Sequence, residues 1–526
     1  MTGINKKQTS GAIAAGHPET VKAAEQILRD GGNAYDAVIA AQLAALVAEP
    51  VLTSLGGGGF MMAETASGSQ TLYDFFVQTP MHKRDSSRLS FFPITADFGE
   101  AEQEFHIGPG SVAVPGMVKG LFEIHRDLCT LPMKRLAEPA IELARKGVEM
   151  NSFQSGIFDI VTPIYRDSPE ANRIFRSSRE EGQLIREGEV LKQPDLAELL
   201  EQLILDGEHL FYEGEIAESI SRICREDGGH LTREDFENYR VIKRDPLKIN
   251  YRGNEIAINP PPSSGGILVG FALNLMESVD PGKFEPGDEA WLDTVAFIQQ
   301  MTNRARIDAF VENPSDDPAM KLMNPEYLEI YKKEVRERTA SFRGTTHISV
   351  VDRDGNMAGM TSSNGEGSGV MIPGTGFMFN NMLGEQDLNP GGFHSWKPNE
   401  RMTSMMAPGI LKLKSGARVV FGSGGSNRIR TATFQVLLNL IDLKMSLKES
   451  IEAPRVHIED KLLHVEKGYG TNQLKRLKKN YPNHKIWSEK NLFFGGAHSV
   501  SRGPEGYSGA GDKRRGGVAV VVSDQE

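Results

Sequence analysis

Cysteine is nearly absent, with only Cys129 and Cys224 in 526 residues. Two thiols cannot build a disulfide framework or a multi-thiolate metal site. Positive charge is also short. Lys and Arg total 59 against 70 Asp and Glu, a formal net charge of −11. Such a chain has no global pull toward nucleic acid or an anionic membrane. No apolar run approaches the ~18 residues of a membrane span. The opening stretch, MTGINKKQTSGAIAAGHPET, lacks the apolar core of a signal peptide. Internal repeats and low-complexity linkers are missing too. These absences favour a reducing, cytoplasmic setting, with neither nucleic acid nor membrane as partner.

What is present reads as an ordinary globular chain. Apolar residues make up 39% and charged residues 25%, which leaves ample material for a core. About one domain per 150 residues would give three or four. The chain pattern instead fits one mixed α/β architecture around a buried sheet. A helix is expected from Pro18, stopped by Gly31-Gly32, and a second from Asn33 as cap to about Val47. Four glycines follow at Gly56–Gly59, a run that lets backbone approach something closely. SQTLYDFFVQTP reads as a strand ending at Pro80, and residues 110–240 read as mostly helical. Pro260–Gly266, PPPSSGG, is a rigid loop ahead of an apolar helix, and 288–312 is helical again. After about 344 the pattern changes. TTHISVVDRDGNMAGMTSS is two short strands around an Asp354-Gly355-Asn356 turn. Glycine-rich loops and strands follow, then the helix RTATFQVLLNLIDL, then strands in HSVSRG and GGVAVVVSD.

The informative site is Gly344-Thr345-Thr346-His347, where the helical region meets that hairpin. Thr and His in a strand are usually structural. A metal at His347 lacks a second His or Cys at ligand spacing. A G-x-S-x-G elbow and a P-loop are both missing. Another reading uses more of the chain. A threonine hydroxyl needs a base to become a nucleophile. Cutting the Gly344–Thr345 bond would give Thr345 a free α-amine, which titrates near 7.7–8.0 (about neutral) and can serve as that base.

From these residues outward the sequence resembles the γ-glutamyltransferases, self-cleaving members of the N-terminal-nucleophile hydrolases. TTHISVVDRDGN is similar to the start of their small subunit. ILRDGGNAYDAVIAAQLAALVAEP, GGGGFMM, GPGSVAVPGMVKGL, LAEPAIELARKG, PPPSSGG, FMFNNML, NERMTSMMAPGI, GSGGSNRI and GDKRRGG follow in family order. The resemblance covers nearly the whole chain. It implies an α/β (α+β) fold, a four-layer αββα sandwich, built as one integrated domain. Residues 1–344 would form a large helix-rich subunit and 345–526 a small strand-rich one. It also implies self-cleavage at Gly344–Thr345, a heterodimer of the two chains open to further assembly, and neither cofactor nor metal. The implied partners are a small-molecule amide donor, such as a glutathione-type γ-glutamyl compound, and an acceptor: water, an amino acid or a peptide.

The resemblance assigns roles residue by residue. Thr345 is the nucleophile and Ser363 a second hydroxyl bonded to it. Gly425 and Ser426, in GSGGSN, are the oxyanion hole. The plain alternatives are a strand-end serine and a glycine-rich turn. The substrate shell departs from the family. Phe76 stands where an arginine holds the donor's α-carboxylate. Met405 replaces one of two serines, leaving Ser404. Met382 replaces a glutamine. Glu385 stands for the aspartate that holds the α-amine. The family asparagine shifts to Asn364, with Gly365 in its slot. Arg401 and Arg428 are the nearest replacement cations. Three readings follow: a γ-glutamyltransferase-like enzyme, an acylase for glutaryl-like or other less polar acyl groups, and a catalytically silent binding protein.

Overall fold

A computed structural model describes residues 11–97, 102–284, 288–309, 318–333, 345–389, 391–459 and 462–522. Labels here cover the strands of its two large sheets and the helices packed on them. In chain order these are β1 (Gly11–Ala15), α1 (Pro18–Arg29), α2 (Ala34–Ala48), β2 (Gly58–Glu64), β3 (Gln70–Phe75), α3 (Met117–Leu128) and α4 (Met133–Lys146). Then come β4 (Ile242–Arg244), β5 (Leu247–Tyr251), β6 (Asn254–Ile258), α5 (Ser264–Met276) and α6 (Glu289–Ile307). The rest are β7 (Thr346–Val351), β8 (Met357–Ser363), β9 (Gly409–Lys412), β10 (Arg418–Phe421), α7 (Asn427–Ile441), β11 (Ser499–Gly503), β12 (Gly506–Ala510) and β13 (Val518–Val522).

A seven-stranded sheet runs β13-β1-β7-β8-β2-β3-β4, and a six-stranded sheet runs β12-β11-β10-β9-β6-β5. Every pairing in both is antiparallel. The sheets face each other, with β7 and β8 against β10. Side chains alternate across a strand, so a sheet covered on both faces reads as continuously apolar. Ile13, Met61, Ile348 and Met360 join the core under α1–α4, while Ala12, Phe60, Met62 and Met357 join the core shared with the other sheet. Helix α5 covers the outer side of β5 and packs on α6 and α7.

The local expectations hold where capping decides them. Helix α2 begins after Asn33 with a full capping box to Asp36. Asp352 closes the β7–β8 turn by accepting from Gly355 and Asn356 N–H at 2.9 Å, and it also accepts from Ala34 N–H at 2.9 Å. Two expectations are corrected. The strand expected to reach Pro80 ends at Phe75, because Asp74 folds back to accept the Phe76 N–H at 3.1 Å. The loop PPPSSGG is helical from Ser264, since α5 uses its first N–H groups on Ser404 O. Helix α6 ends at Ile307, and 310–312 lie outside the described residues. No described helix is long and apolar enough to cross a membrane.

Candidate active site

Thr345 immediately precedes β7. The register pairs Thr346 with Ser362, so the next position sets Thr345 opposite Ser363. Directly opposed residues hold their Cβ atoms about 5 Å apart. Both hydroxyl residues are almost completely buried and open on one cleft of about 360 Å³. Gly344 lies outside the described residues, and so does the bond expected to be cut.

Glycines pack closely against the strands that carry both hydroxyl residues. A Cβ on any of Gly56, Gly57, Gly58 or Gly59 would stand 2.4–2.7 Å from a backbone oxygen, including Ser363 O and Thr361 O along β8. The run thus lets β2 and its lead-in lie close against the strand carrying Ser363. Beside Thr345, Gly424 packs so tightly that a Cβ would fall 1.9 Å from Thr345 O. Gly425 has φ +119°, a left-handed conformation that favours glycine, and Ser426 follows at φ 49°, ψ −124°. For serine this backbone is strained by about 1–3 kcal/mol, the kind of outlier found at functional sites. Ser426 is also the N-cap of α7. A helix N-terminus carries partial positive charge and N–H groups suited to an anion.

Eight of the ten candidate residues line the cleft: Phe76, Thr345, Ser363, Met382, Glu385, Ser404, Met405 and Ser426. Gly365 lines it too. Gly425 and Asn364 do not. Asn364 is fully buried, its amide lies toward Gly57 and Gly367, and neither amide atom has a hydrogen-bond partner among the described residues. The motifs that matter least chemically hold the others in place. Asn380 donates to Gly56 O and Ala113 O and accepts from Met382 N–H at 3.1 Å, which ties NNML to the glycine run. Ser404 O accepts from Ser264 and Gly265 N–H at 2.9 and 3.1 Å. A side chain on Gly265 would collide with Met405 O. That close approach explains the glycines of PPPSSGG.

The two candidate arginines are committed elsewhere. Arg401 donates to Phe76 O, the Tyr239 hydroxyl and Arg240 O, and lies 3.6 Å from the buried Asp74 carboxylate. Arg428 donates to Phe493 O at 3.0 Å and stacks on the Phe493 ring. His347 is held by Thr361 and Ser349 hydroxyls at 2.7 and 2.9 Å, and burial pushes its pKa well below the usual range. It is a neutral core residue.

Two residues next to Thr345 and Thr346 carry no sequence assignment. Arg515, in GDKRRGG, donates to Thr345 O at 3.1 Å and to Leu492 O at 3.3 Å. Burial lowers its pKa to about 10, so it stays cationic at neutral pH. Glu49 is fully buried and accepts from the Thr20 and Thr346 hydroxyls at 3.1 and 2.9 Å. Burial pushes its carboxyl up to about 7, against the pull of those bonds and of Arg515. A signal for Glu49 was available. It is the C-cap of α2, an acid at the helix end where the dipole disfavours an anion.

The family model for gamma-glutamyltranspeptidase matches residues 20–522. The Acylase ACY 1 proenzyme of Pseudomonas sp. (strain V22) is 31% identical over 534 residues, covering 98% of this chain and 94% of that protein. The glutathione hydrolase proenzyme of Escherichia coli (strain K12) is 30% identical over 541 residues, covering 96% and 90%. Among solved structures, the cephalosporin acylase from Bacillus halodurans superposes with a TM-score of 0.83 over 99% of this chain and 97% of that one, at 24% identity. That last likeness speaks for the fold. On the family model and the two relatives, the chain belongs to the γ-glutamyltranspeptidase family.

Proposed function

We propose that this chain is a self-processing amidohydrolase or acyltransferase with Thr345 as its N-terminal nucleophile. In this reading the two facing sheets and their helical covers form a four-layer αββα sandwich. Residues 1–344 and 345–526 are its two chains, a heterodimer folded as one domain. The observation that carries it is the meeting of Thr345, Ser363 and the strained Gly425–Ser426 loop at one cleft. Once Thr345 is the chain start, its α-amine takes the proton from its hydroxyl. The oxygen attacks the donor carbonyl. The tetrahedral oxyanion is held by backbone N–H groups of Gly425 and Ser426, and removing one such donor typically costs about 3–4 kcal/mol. Ser363 orients the nucleophile. The proton passes to the leaving amine as the C–N bond breaks. Water, an amino acid or a peptide then takes the acyl group from Thr345.

The donor shell supports amide chemistry more than γ-glutamyl recognition. Phe76, Met382 and Met405 line the cleft, and neither Arg401 nor Arg428 is free to hold a carboxylate. Burying a carboxylate without a partner costs several kcal/mol. An acylase for a donor without the α-carboxylate is therefore favoured over a glutathione-type enzyme. Phe76→Arg should raise kcat/KM for a γ-glutamyl anilide about tenfold, or about 1.4 kcal/mol. Met382 and Met405 keep the gain partial. Steady-state kinetics on matched γ-glutamyl and glutaryl anilides checks this. A strong γ-glutamyl preference in the unsubstituted protein would contradict it.

A further inference from the structure

We infer that Arg515 is a positioning residue: its buried guanidinium fastens Thr345 against the Gly424–Gly425 loop, so that the nucleophile and the oxyanion N–H groups meet a donor carbonyl already aligned. The inference rests on the amidohydrolase reading above. It adds to that reading a residue that does not line the cleft.

Three buried arginines lie in this corner of the molecule, and Arg515 differs from the other two. Arg455 pairs with Asp512 at 2.7 Å. Arg514 pairs with Glu466 at 2.5 Å and with Asp512 at 3.0 Å. Buried charges are normally paired in this way. Arg515 instead donates to two backbone carbonyls, Thr345 O at 3.1 Å and Leu492 O at 3.3 Å. Glu366, Asp512 and Glu49 favour its charge from farther off. Its hydrogen bonds therefore join chain segments, and one of those segments is the nucleophile residue itself.

Three glycines make room for it. A Cβ on Gly496 would fall 2.4 Å from Arg515 Cδ, and Cβ atoms on Gly424 and Gly425 would stand 3.3 and 3.2 Å from its two terminal nitrogens. The guanidinium thus lies directly against the loop assigned to the oxyanion, with one nitrogen on Thr345 O. Arg515 is itself held from below. Asp512 accepts from Ala497 N–H at 3.0 Å and from Arg514 N–H at 3.1 Å, and Arg515 N–H donates to Asp512 O at 3.1 Å. Cleavage would make Thr345 a chain end, and chain ends fray unless they are tied down. The bond from Arg515 is such a tie. A guanidinium offers donors in a rigid fork, so it can hold both carbonyls at once, and a lysine ammonium lacks that fork.

The test uses the full-length protein with Arg515→Met and Arg515→Lys. The donor is γ-glutamyl or glutaryl p-nitroanilide, whichever the unsubstituted protein turns over faster. Self-cleavage is followed in time on a denaturing gel, and kcat and KM are measured on cleaved protein. An anilide is less reactive than the ester it forms, so acylation limits turnover and KM reports binding. Arg515→Met should slow self-cleavage about tenfold or more and lower kcat about a hundredfold, the typical effect of misplacing a reacting group by about 1 Å. KM should stay within about threefold, because Arg515 forms no wall of the cleft. Arg515→Lys keeps the charge and one bond, and its kcat should lie between those of Arg515→Met and the unsubstituted protein. Far-UV circular dichroism shows which variants have folded. A folded Arg515→Met protein that cleaves itself and turns over as fast as the unsubstituted one overturns the inference, and so does a loss carried by KM alone. If Arg515→Met does not fold, Arg515→Lys decides: a lower kcat at constant KM supports the inference, and an unchanged kcat overturns it. Unsubstituted protein that neither cleaves itself nor turns over either donor overturns the amidohydrolase reading, and the inference with it.

Discussion

In the proposed reading, Thr345 supplies a hydroxyl that reacts, and the glycines around it supply backbone that must be free of side chains. Thr345→Ala removes the γ-hydroxyl and the γ-methyl, a small change in volume at a buried position. It should abolish both processing and anilide turnover and leave the far-UV circular dichroism unchanged. A variant that still cleaves itself would move the nucleophile elsewhere. Glu49 gives a second test at this scale. Burial holds its carboxyl near 7, above the 4.5 expected of an exposed one. The folded state therefore binds the proton more tightly than the unfolded chain. The stability it contributes is complete below about 4.5 and is lost as pH rises through about 7, to a total of about 3 kcal/mol. Glu49→Gln has no such titration, so its stability relative to the unsubstituted protein should climb between pH 5 and pH 8. Denaturant unfolding at both pH values measures the climb, and a difference that stays flat would contradict it.

At the scale of elements, local chemistry was legible and long-range pairing was not. The Asn33 cap, the Asp354-Gly355-Asn356 turn and the Pro18 helix start are local, and each stands as expected. Strand β1 was missed. It is five small residues, GAIAA, with no turn signal of its own, and it earns its place by pairing with β7 and β13. Strands β5 and β6 were missed too: they form a short hairpin across Arg252-Gly253, and β6 takes its second partner, β9, some 150 residues on in sequence. The β7–β8 hairpin was readable because its strands are adjacent in sequence and joined by a turn signal. Arg515 was not, because its contact with Thr345 spans 170 residues. Asp36 illustrates how far one cap reaches. It accepts from Asn33 N–H, Thr130 N–H and hydroxyl, and Leu131 N–H, tying α2 to the turn before α4. Asn33→Ala should cost about 1 kcal/mol in thermal or denaturant unfolding. Asp36→Ala should cost more, because it removes the acceptor of four partly buried hydrogen bonds at once. Equal losses would mean that the cap, and not the tie, carries the effect.

Across the whole molecule, the segments on either side of residue 344 are interleaved. In the seven-stranded sheet, β7 and β8 from the later segment sit between β1 and β2 from the earlier one. In the six-stranded sheet, β6 from the earlier segment pairs with β9 from the later one and carries β5 at the edge. A chain cut at 344 would therefore stay together through two sheets and a shared core. The central claim is that this cut makes the nucleophile. Intact mass and N-terminal sequencing of active protein, separated under denaturing conditions, test it most directly. The account predicts two chains, residues 1–344 and 345–526, with Thr345 at the start of the second. An active protein that runs as one uncut chain, or whose second chain starts at any other residue, would contradict it.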